Sequence, residues 1–193
     1  MILSYPRGRV RGVGKTQYYT ATSVDGYIAD ADNSLDWLFA VEGGDDDNPF
    51  AAFFAEVGAF VMGATTYEWV CAHEPDSWQR YYGDLPAWVF THRELPSIAG
   101  ANLTFVRGDV RPVHAAMTAA AGGRNVWVVG GGELAGAFAD AGLLDELILG
   151  VAPVTLGGGA PLLPRRLTGD RLSLTDVRRR GQFAYLTYAL RPG

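Results

Sequence analysis

One stretch decides the fold of this chain: Asn125-Val126-Trp127-Val128-Val129-Gly130-Gly131-Gly132-Glu133-Leu134. Its first half is the apolar run of a buried strand. The three glycines then turn the chain into a helix, predicted from Glu133 to Ala141 and closed by Gly142. Because glycine has no Cβ, the backbone N–H groups of such a turn and the positive helix end can meet a pyrophosphate. The stretch therefore indicates a phosphate-binding turn, with a tight turn that merely needs positive φ as the alternative.

The rest of the chain repeats this alternation of strand and helix. Upstream, Ala59 to Met62 is an apolar run stopped by Gly63, after which Thr65 or Thr66 is predicted to cap a helix over 67–71. A first strand begins at Gln17 and is broken by the turn pair Asp25-Gly26. Further strands are predicted over 87–91, 103–106 and 147–151, helices from Pro49 to near Gly58 and over 110–121, and a hairpin over 172–190 around Gly181-Gln182.

Strands that alternate with helices predict an α/β fold of three layers, with helices on both faces of a sheet. The sheet is expected to be mixed and mainly parallel, with an antiparallel hairpin at the C-terminal end. Residues 1–15 are interpreted as a flexible leader and residues 16–193 as a single domain, since no linker interrupts them.

Composition narrows the class of protein. The chain has 193 residues, of which 19% are charged, and a net charge of −5, so no strongly basic surface for nucleic acid is expected. No apolar run approaches the roughly 20 residues of a membrane helix. The single cysteine, Cys71, favours a reducing cytoplasm. The scattered histidines His73, His92 and His114 give no ligand pattern, so no metal is expected.

Two further segments resemble phosphate-binding elements. Gly63 to Tyr67 forms a second strand-to-helix glycine turn with two threonine hydroxyls. Thr91-His92-Arg93 follows a strand and carries donors suited to a monoester phosphate, with an exposed polar loop as the alternative. The residues from Gly130 to Ala135 also match a dinucleotide-binding glycine pattern. That pattern normally follows the first strand, and Thr155 stands where an acidic residue is expected.

Taken in order, several motifs make the chain resemble the dihydrofolate-reductase-like family that includes the reductase domain of bacterial riboflavin biosynthesis. The resemblance runs from about Thr16 to the C-terminus and rests on the order of the motifs. They are Thr22-Ser23-Val24-Asp25-Gly26-Tyr27-Ile28-Ala29, Leu35-Asp36-Trp37-Leu38, Val61-Met62-Gly63-Ala64-Thr65-Thr66-Tyr67-Glu68, Val89-Phe90-Thr91-His92, Val128-Val129-Gly130-Gly131-Gly132 and Leu156-Gly157-Gly158-Gly159-Ala160-Pro161-Leu162.

The resemblance implies an NADPH-dependent reductase of a small heterocyclic or carbonyl substrate. The residues it implies for the cofactor are Gly63, Thr65, Thr66, Thr91, His92, Arg93, Gly130, Gly131, Gly132, Glu133 and Leu134. Ala64 stands where the family commonly has Arg or Lys. This departure leaves open a non-catalytic nucleotide-binding module on the same fold.

On the substrate side, the residues that the resemblance implies as catalytic are Asp25, Tyr27, Asp36 and Trp37. Each has a simpler interpretation as well: a turn residue, a helix cap or a core side chain. Tyr27 also stands where riboflavin-pathway reductases usually have a basic residue. The aromatic last strand, with Phe183, Tyr185 and Tyr188, predicts a homodimer.

Overall fold

The computed structural model describes residues 14–41, 49–73 and 78–191. Most of the predicted leader, the acidic run Asp45-Asp46-Asp47 and the predicted cap Asn48 lie outside the described residues. The strands are β1 (Thr16–Thr22), β2 (Tyr27–Ala29), β3 (Val57–Gly63), β4 (Ala87–Phe90), β5 (Leu103–Val106), β6 (Asn125–Gly130), β7 (Glu146–Val151), β8 (Ala160–Pro161), β9 (Leu172–Arg180) and β10 (Phe183–Leu190). The helices are α1 (Asp36–Phe39), α2 (Pro49–Ala55), α3 (Ala64–His73), α4 (Trp78–Tyr82), α5 (Val110–Ala121) and α6 (Gly132–Asp140).

Eight of the described strands form one sheet in the order β5-β4-β3-β6-β1-β7-β10-β9. The pairings from β5 to β7 are all parallel, and β10 runs antiparallel to both β7 and β9. In the centre, Thr16 lies opposite Val126 and Tyr18 opposite Val128. The predicted mixed, mainly parallel sheet with a C-terminal hairpin is confirmed. The glycine turn follows β6 rather than the first strand, unlike the dinucleotide-binding alternative.

The core consists of two apolar layers, one on each face of the sheet. One layer packs α5 and α6 against the centre of the sheet, with Met117 and Phe138 fully buried. In α5, buried side chains recur at helical spacing, Asp109 caps the N-terminus through Arg111 N at 2.9 Å, and Gly122 ends the helix with φ +60°. The other layer is aromatic and packs α2, α3 and α4 against the strands through Phe60, Trp127 and their neighbours.

Two predicted boundaries are wrong. The helix after β3 begins at Ala64, so Thr65 and Thr66 lie in its first turn instead of capping it. The helix before β3 ends at Ala55, and Gly58 already belongs to β3. A Cβ on Gly58 would lie 2.5 Å from the carbonyl oxygen of Ala121, so this glycine permits close packing and is not a helix stop.

Within the part of the chain that the structure describes, no helix has both the length and the apolar character needed to span a membrane.

Candidate active site at the carboxyl edge of the sheet

The predicted cofactor residues lie along one edge of the sheet. Neighbouring strands β4, β3, β6, β1 and β7 are parallel, so their carboxyl ends meet at the same edge. Five adjacent strands span about 19 Å at the usual spacing of about 4.8 Å. The segments that leave this edge, in spatial order, are 91–93, 63–66, 130–134, 23–26 and 152–157.

The two glycine turns lie side by side at the centre of this edge, where Met62 of β3 pairs with Gly130 of β6. A Cβ built on Gly63 would lie 3.7 Å from the backbone nitrogen of Gly131. The hydroxyl oxygen of Thr66 would lie 3.2 Å from a Cβ on Gly130. Since α3 and α6 both begin here, two helix N-termini bring their free N–H groups and positive ends to one place. Thr65 is exposed in the first turn of α3.

The three successive glycines serve different purposes. None of them has φ in the left-handed region, so the turn does not merely need positive φ; the Gly130–Gly131 peptide bond is cis. A Cβ on Gly132 would lie 2.2 Å from the carbonyl oxygen of Pro161 and 2.6 Å from that of Leu162. Gly131 is extended, with φ −86° and ψ −177°, and nothing lies within 4 Å of its Cβ position. Gly132 thus lets the segment 161–162 pack closely against the start of α6, whereas Gly131 borders open space.

The two residues after the glycines differ in their surroundings. Glu133 pairs with Arg165, whose Nη1 lies 2.9 Å from the Glu133 carboxylate, and Arg165 also reaches Asp140 at 2.7 Å. These two carboxylates, Asp140 first, raise the pKa of the Arg165 guanidinium. Leu134 packs against the apolar layer of α5 and α6. The carboxylate of Glu133 is therefore held on the outer side of α6 by a cation that the sequence did not single out.

The loop after β4 is organised by its own threonine. The Thr91 hydroxyl accepts from Arg93 N at 2.9 Å and donates to Arg93 O at 3.0 Å. The Arg93 guanidinium pairs with Glu68 of α3 at 2.8 Å, and both side chains are substantially exposed. His92 is exposed beside them. Arg93 thus lies next to the start of α3, with its charge partly balanced by a surface carboxylate.

Asp25 joins two loops at the carboxyl ends of β1 and β7. Its carboxylate accepts hydrogen bonds from Ser23 Oγ at 2.6 Å, Gly157 N at 2.7 Å and Leu156 N at 3.1 Å. These donors, Ser23 first and Gly157 next, hold the pKa of Asp25 below its usual range. The buried Ser23 hydroxyl also accepts from Tyr27 N at 2.9 Å. The geometry makes Asp25 a clamp between the loops.

The other three predicted catalytic residues lie on the segment after β1. Tyr27 begins β2 and pairs with Pro161 of β8, so its backbone joins the same pair of loops. Asp36 is exposed in the first turn of α1, where its N–H donates to Ser34 Oγ at 3.0 Å. Trp37 is half-buried, and its Nε1 is buried without a hydrogen-bond partner among the described residues. Within the described part of the chain, no hydrogen bond or ion pair joins Asp36 to the glycine turns.

Several residues that build this edge carry no signal in the sequence. Leu162 accepts a hydrogen bond from Tyr18 Oη at 3.1 Å and donates its N–H to Gly26 O at 2.8 Å. Arg165 acts through partners that are known only from the fold, whereas Ser23 bonds to its near neighbours Asp25 and Tyr27. A serine just before an Asp-Gly turn is the single pattern here that local turn chemistry would favour.

The histidines do not form a ligand cluster. His114 Nε2 lies 2.8 Å from the hydroxyl of buried Thr16, and burial lowers the pKa of His114 against the opposing effect of Asp145. His73 contacts the Trp69 carbonyl at 2.9 Å. Among residues 14–41, 49–73 and 78–191, no group of three or more metal-ligating side chains comes together.

Comparisons with known proteins find a matching family model and a sequence relative. The sequence model of the RibD C-terminal domain matches residues 15–183. The uncharacterized protein YwjB of Bacillus subtilis (strain 168) is 35% identical over 174 residues, which cover 90% of this chain and 97% of that protein.

Solved structures show the same fold. A putative riboflavin biosynthesis protein from Shewanella sp. PV-4 has a TM-score of 0.76 and 27% identity, and the match covers 92% of this chain and 99% of that one. Dihydrofolate reductase from Enterococcus faecalis, complexed with NADP(H), has a TM-score of 0.61 at 14% identity over 94% of this chain and 99% of that one. At that identity the likeness concerns the fold alone.

The Asp25 clamp predicts a pH-dependent loop. Because the pKa of Asp25 is lowered in the folded protein, its stabilising contribution is complete above the ordinary aspartate pKa of about 4 and is lost as the pH falls through the lower folded value. We expect the amide signals of Leu156 and Gly157 in NMR spectra to shift together below about pH 4. In Asp25→Asn this shared titration should disappear. If it persists in the variant, another group holds the loop.

Proposed function

Because the chain belongs to the RibD C-terminal domain family, we propose that it is an NADPH-dependent reductase of a small heterocyclic or carbonyl substrate. The observation that carries the proposal is the pair of adjacent glycine turns, where α3 and α6 begin side by side and Gly131 borders open space. The riboflavin-related name of the Shewanella protein and the NADP(H) of the enterococcal reductase support the same reaction class.

The residues at the edge fit a dinucleotide phosphate. The first turns of α3 and α6 offer backbone N–H groups and positive helix ends, and the exposed Thr65 hydroxyl adds a donor. A side chain at position 131 would fill the open space, which is the usual reason for glycine beside a bound phosphate. The cofactor, when bound, supplies the hydride. Thr66 contacts Gly130 and keeps the two turns together.

On the substrate side, the chain would mainly bind and position. We assign Asp25 a positioning role, because its carboxylate accepts hydrogen bonds from Leu156 N and Gly157 N and so joins the loops after β1 and β7. Tyr27 and Trp37 follow on the segment that these bonds hold, and Asp36 precedes Trp37 on the exposed side of α1. Holding substrate and cofactor in reacting geometry is worth several orders of magnitude in rate.

A second function, a nucleotide-binding module without turnover, has specific support as well. Ala64 places no cation at the first turn of α3, and Arg93 is already paired with Glu68. Both features would weaken the binding of a nucleotide's phosphate groups. The two functions differ in one measurement: a reductase oxidises NADPH when pterins or riboflavin-precursor pyrimidines are supplied, whereas the module binds NADPH and leaves it reduced with every substrate.

Replacing Gly131 tests the cofactor site. We expect micromolar binding of NADPH to the wild type, followed by quenching of tryptophan emission, and at least about tenfold weaker binding to Gly131→Val, because the side chain fills the open space. Gly169→Val is the matched control, since that glycine also has nothing within 4 Å of its Cβ position and lies away from the glycine turns. Unchanged affinity in Gly131→Val, or no NADPH binding up to millimolar concentration, would refute the proposed site.

If Arg93 binds the cofactor, its replacement should lower the affinity for NADPH more than the affinity for NADH. If its guanidinium binds the 2′-phosphate, Arg93→Ala should weaken NADPH about tenfold, the usual effect of one charge-assisted hydrogen bond, and leave NADH affinity unchanged. Glu68→Gln releases Arg93 from its ion pair and should change NADPH affinity in the opposite direction. Equal losses for NADPH and NADH in Arg93→Ala would instead place this residue in a general structural role.

We also propose a cytoplasmic homodimer. The edge strand β9 exposes Leu174 and Val177, which are 54% and 60% accessible, beside the aromatic last strand. Apolar side chains on the edge strand of a sheet favour association with a second copy.

The mass of the protein in solution tests the dimer. Light scattering should give a mass of about twice the 20.7 kDa of one chain. Association should be weakened in Val177→Lys, and a concentration-independent single-chain mass would exclude the dimer.

A further inference from the structure

A cavity of about 210 Å³ lies on the sheet between α2 and the edge strand β9. Its floor crosses β1, β7 and β10, where Tyr19 pairs with Ile148 and Ile148 pairs with Thr187. Pro49 and Phe53 of α2 form one wall. Sites for drug-sized molecules usually measure about 300 Å³ or more, so this cavity has room for a single ring and a small substituent.

The side of the cavity next to α2 is apolar. Phe53 stacks on Tyr19 with ring centroids 4.5 Å apart. Pro49 and Ile148 border the cavity beside these two rings. A surface of this kind favours contact with the face or edge of another aromatic ring.

A second tyrosine reaches the middle of the cavity because its neighbour is a glycine. Tyr185 pairs with Gly150 of β7, and a Cβ on Gly150 would lie 3.2 Å from Cε1 of the tyrosine ring. The ring therefore lies over β7, on the side of Tyr19. Burial first, and the neighbouring Tyr185 next, raise the pKa of Tyr19, so its hydroxyl stays protonated at neutral pH and keeps a hydrogen to donate.

The side of the cavity on β9 is charged. Asp176, Arg178 and Arg180 occupy alternate positions of this strand, so their side chains lie on the same face of the sheet and border the cavity. Nε of Arg178 lies 2.7 Å from the Asp176 carboxylate, and the Arg178 side chain is 64% exposed. Because a guanidinium carries five N–H groups, one carboxylate orients Arg178 without using all of its donors. Two guanidinium groups and one carboxylate make this wall positive.

We propose that the cavity binds a small aromatic anion, namely a single ring that carries a phosphate or carboxylate group. The ring would lie against Phe53 and Ile148, and the anionic group would bind Arg178 and Arg180. An apolar wall that faces a positive one favours a ligand with both parts over a ligand with either part alone.

This site goes beyond the proposed reductase function. In the sheet, β9 lies four strands from β6, which places the two arginines about 19 Å from the strand that leads into the three glycines. The site is also compatible with the proposed dimer. Val177 alternates with Asp176 and Arg178 along β9, so its side chain faces the other side of the sheet.

Two successive arginines provide a matched test. Arg178→Ala removes a guanidinium from the cavity wall. Arg179→Ala removes the same charge from the next residue, which faces the other side of the sheet and donates from Nε to Gly181 O at 3.1 Å. The full chain and both variants are titrated with phenyl phosphate and with benzoate. Inorganic phosphate lacks the ring and benzyl alcohol lacks the charge, so these two probes serve as controls.

We expect phenyl phosphate or benzoate to bind at least about tenfold more tightly than either control probe and to shift the amide NMR signals of Gly150 and Thr187. The affinity should fall about tenfold in Arg178→Ala, the effect of one charge-assisted hydrogen bond, and stay unchanged in Arg179→Ala. Equal losses in the two variants would overturn the proposal, because they would show a general attraction to positive charge. Binding no tighter than that of inorganic phosphate would overturn it as well.

Competition with NADPH separates this site from the proposed cofactor site. NADPH should not displace the aromatic anion, and Gly131→Val should not change the affinity for it. Displacement by NADPH would overturn the proposal, because the cavity would then belong to the cofactor site. A chain that binds the aromatic anion through Arg178 and binds no NADPH would refute the reductase and support this site.

Discussion

The carbonyl groups of Pro161 and Leu162 lie so close to the start of α6 that no side chain fits at Gly132. This contact joins the segment after β7 to the glycine turn after β6. Hydrogen bonds from Tyr18 Oη and to Gly26 O tie the same segment to β1 and to the turn that follows it. Three neighbouring strand ends are thereby fixed relative to one another, and Gly131 is left facing open space.

Positive charge at this edge comes from the backbone. Arg93 is paired with Glu68, and Arg165 is paired with Glu133 and Asp140, so neither guanidinium is without a carboxylate. Ala64 contributes no charge at all. In a chain of net charge −5, the proposed phosphate site would therefore rely mainly on the starts of α3 and α6. Such an attraction depends on the exact placement of N–H groups, which is why the packing around Gly132 matters for binding.

The strands, the glycine turns and the fold family could be predicted because their signals are local: apolar runs, glycine positions and motif order. The start of α3 was misplaced because Ala64 can begin a helix without a capping side chain. The hydrogen bonds of the Asp25 clamp could not be predicted from the sequence, for a different reason. Its partners Leu156 and Gly157 are more than 130 residues away in the chain, and only the fold brings them together. The Nε1 of Trp37, which has no hydrogen-bond partner among the described residues, could likewise not be predicted, because only tertiary packing buries it.

The two faces of the sheet are covered by different helices and different side chains. The face with α5 and α6 buries small and aliphatic side chains against long strands, and α6 must begin where the glycine turn requires it. The opposite face is covered by α1 to α4, of which α3 has ten residues but α1 only four and α4 five. Helices this short owe their order to packing, since they are not stable alone. The start of α3 is also part of the sheet edge that would hold the cofactor, so the aromatic packing of this face helps to fix that edge. Each face of the sheet therefore contributes one helix start to the same edge, α3 from the aromatic layer and α6 from the aliphatic one.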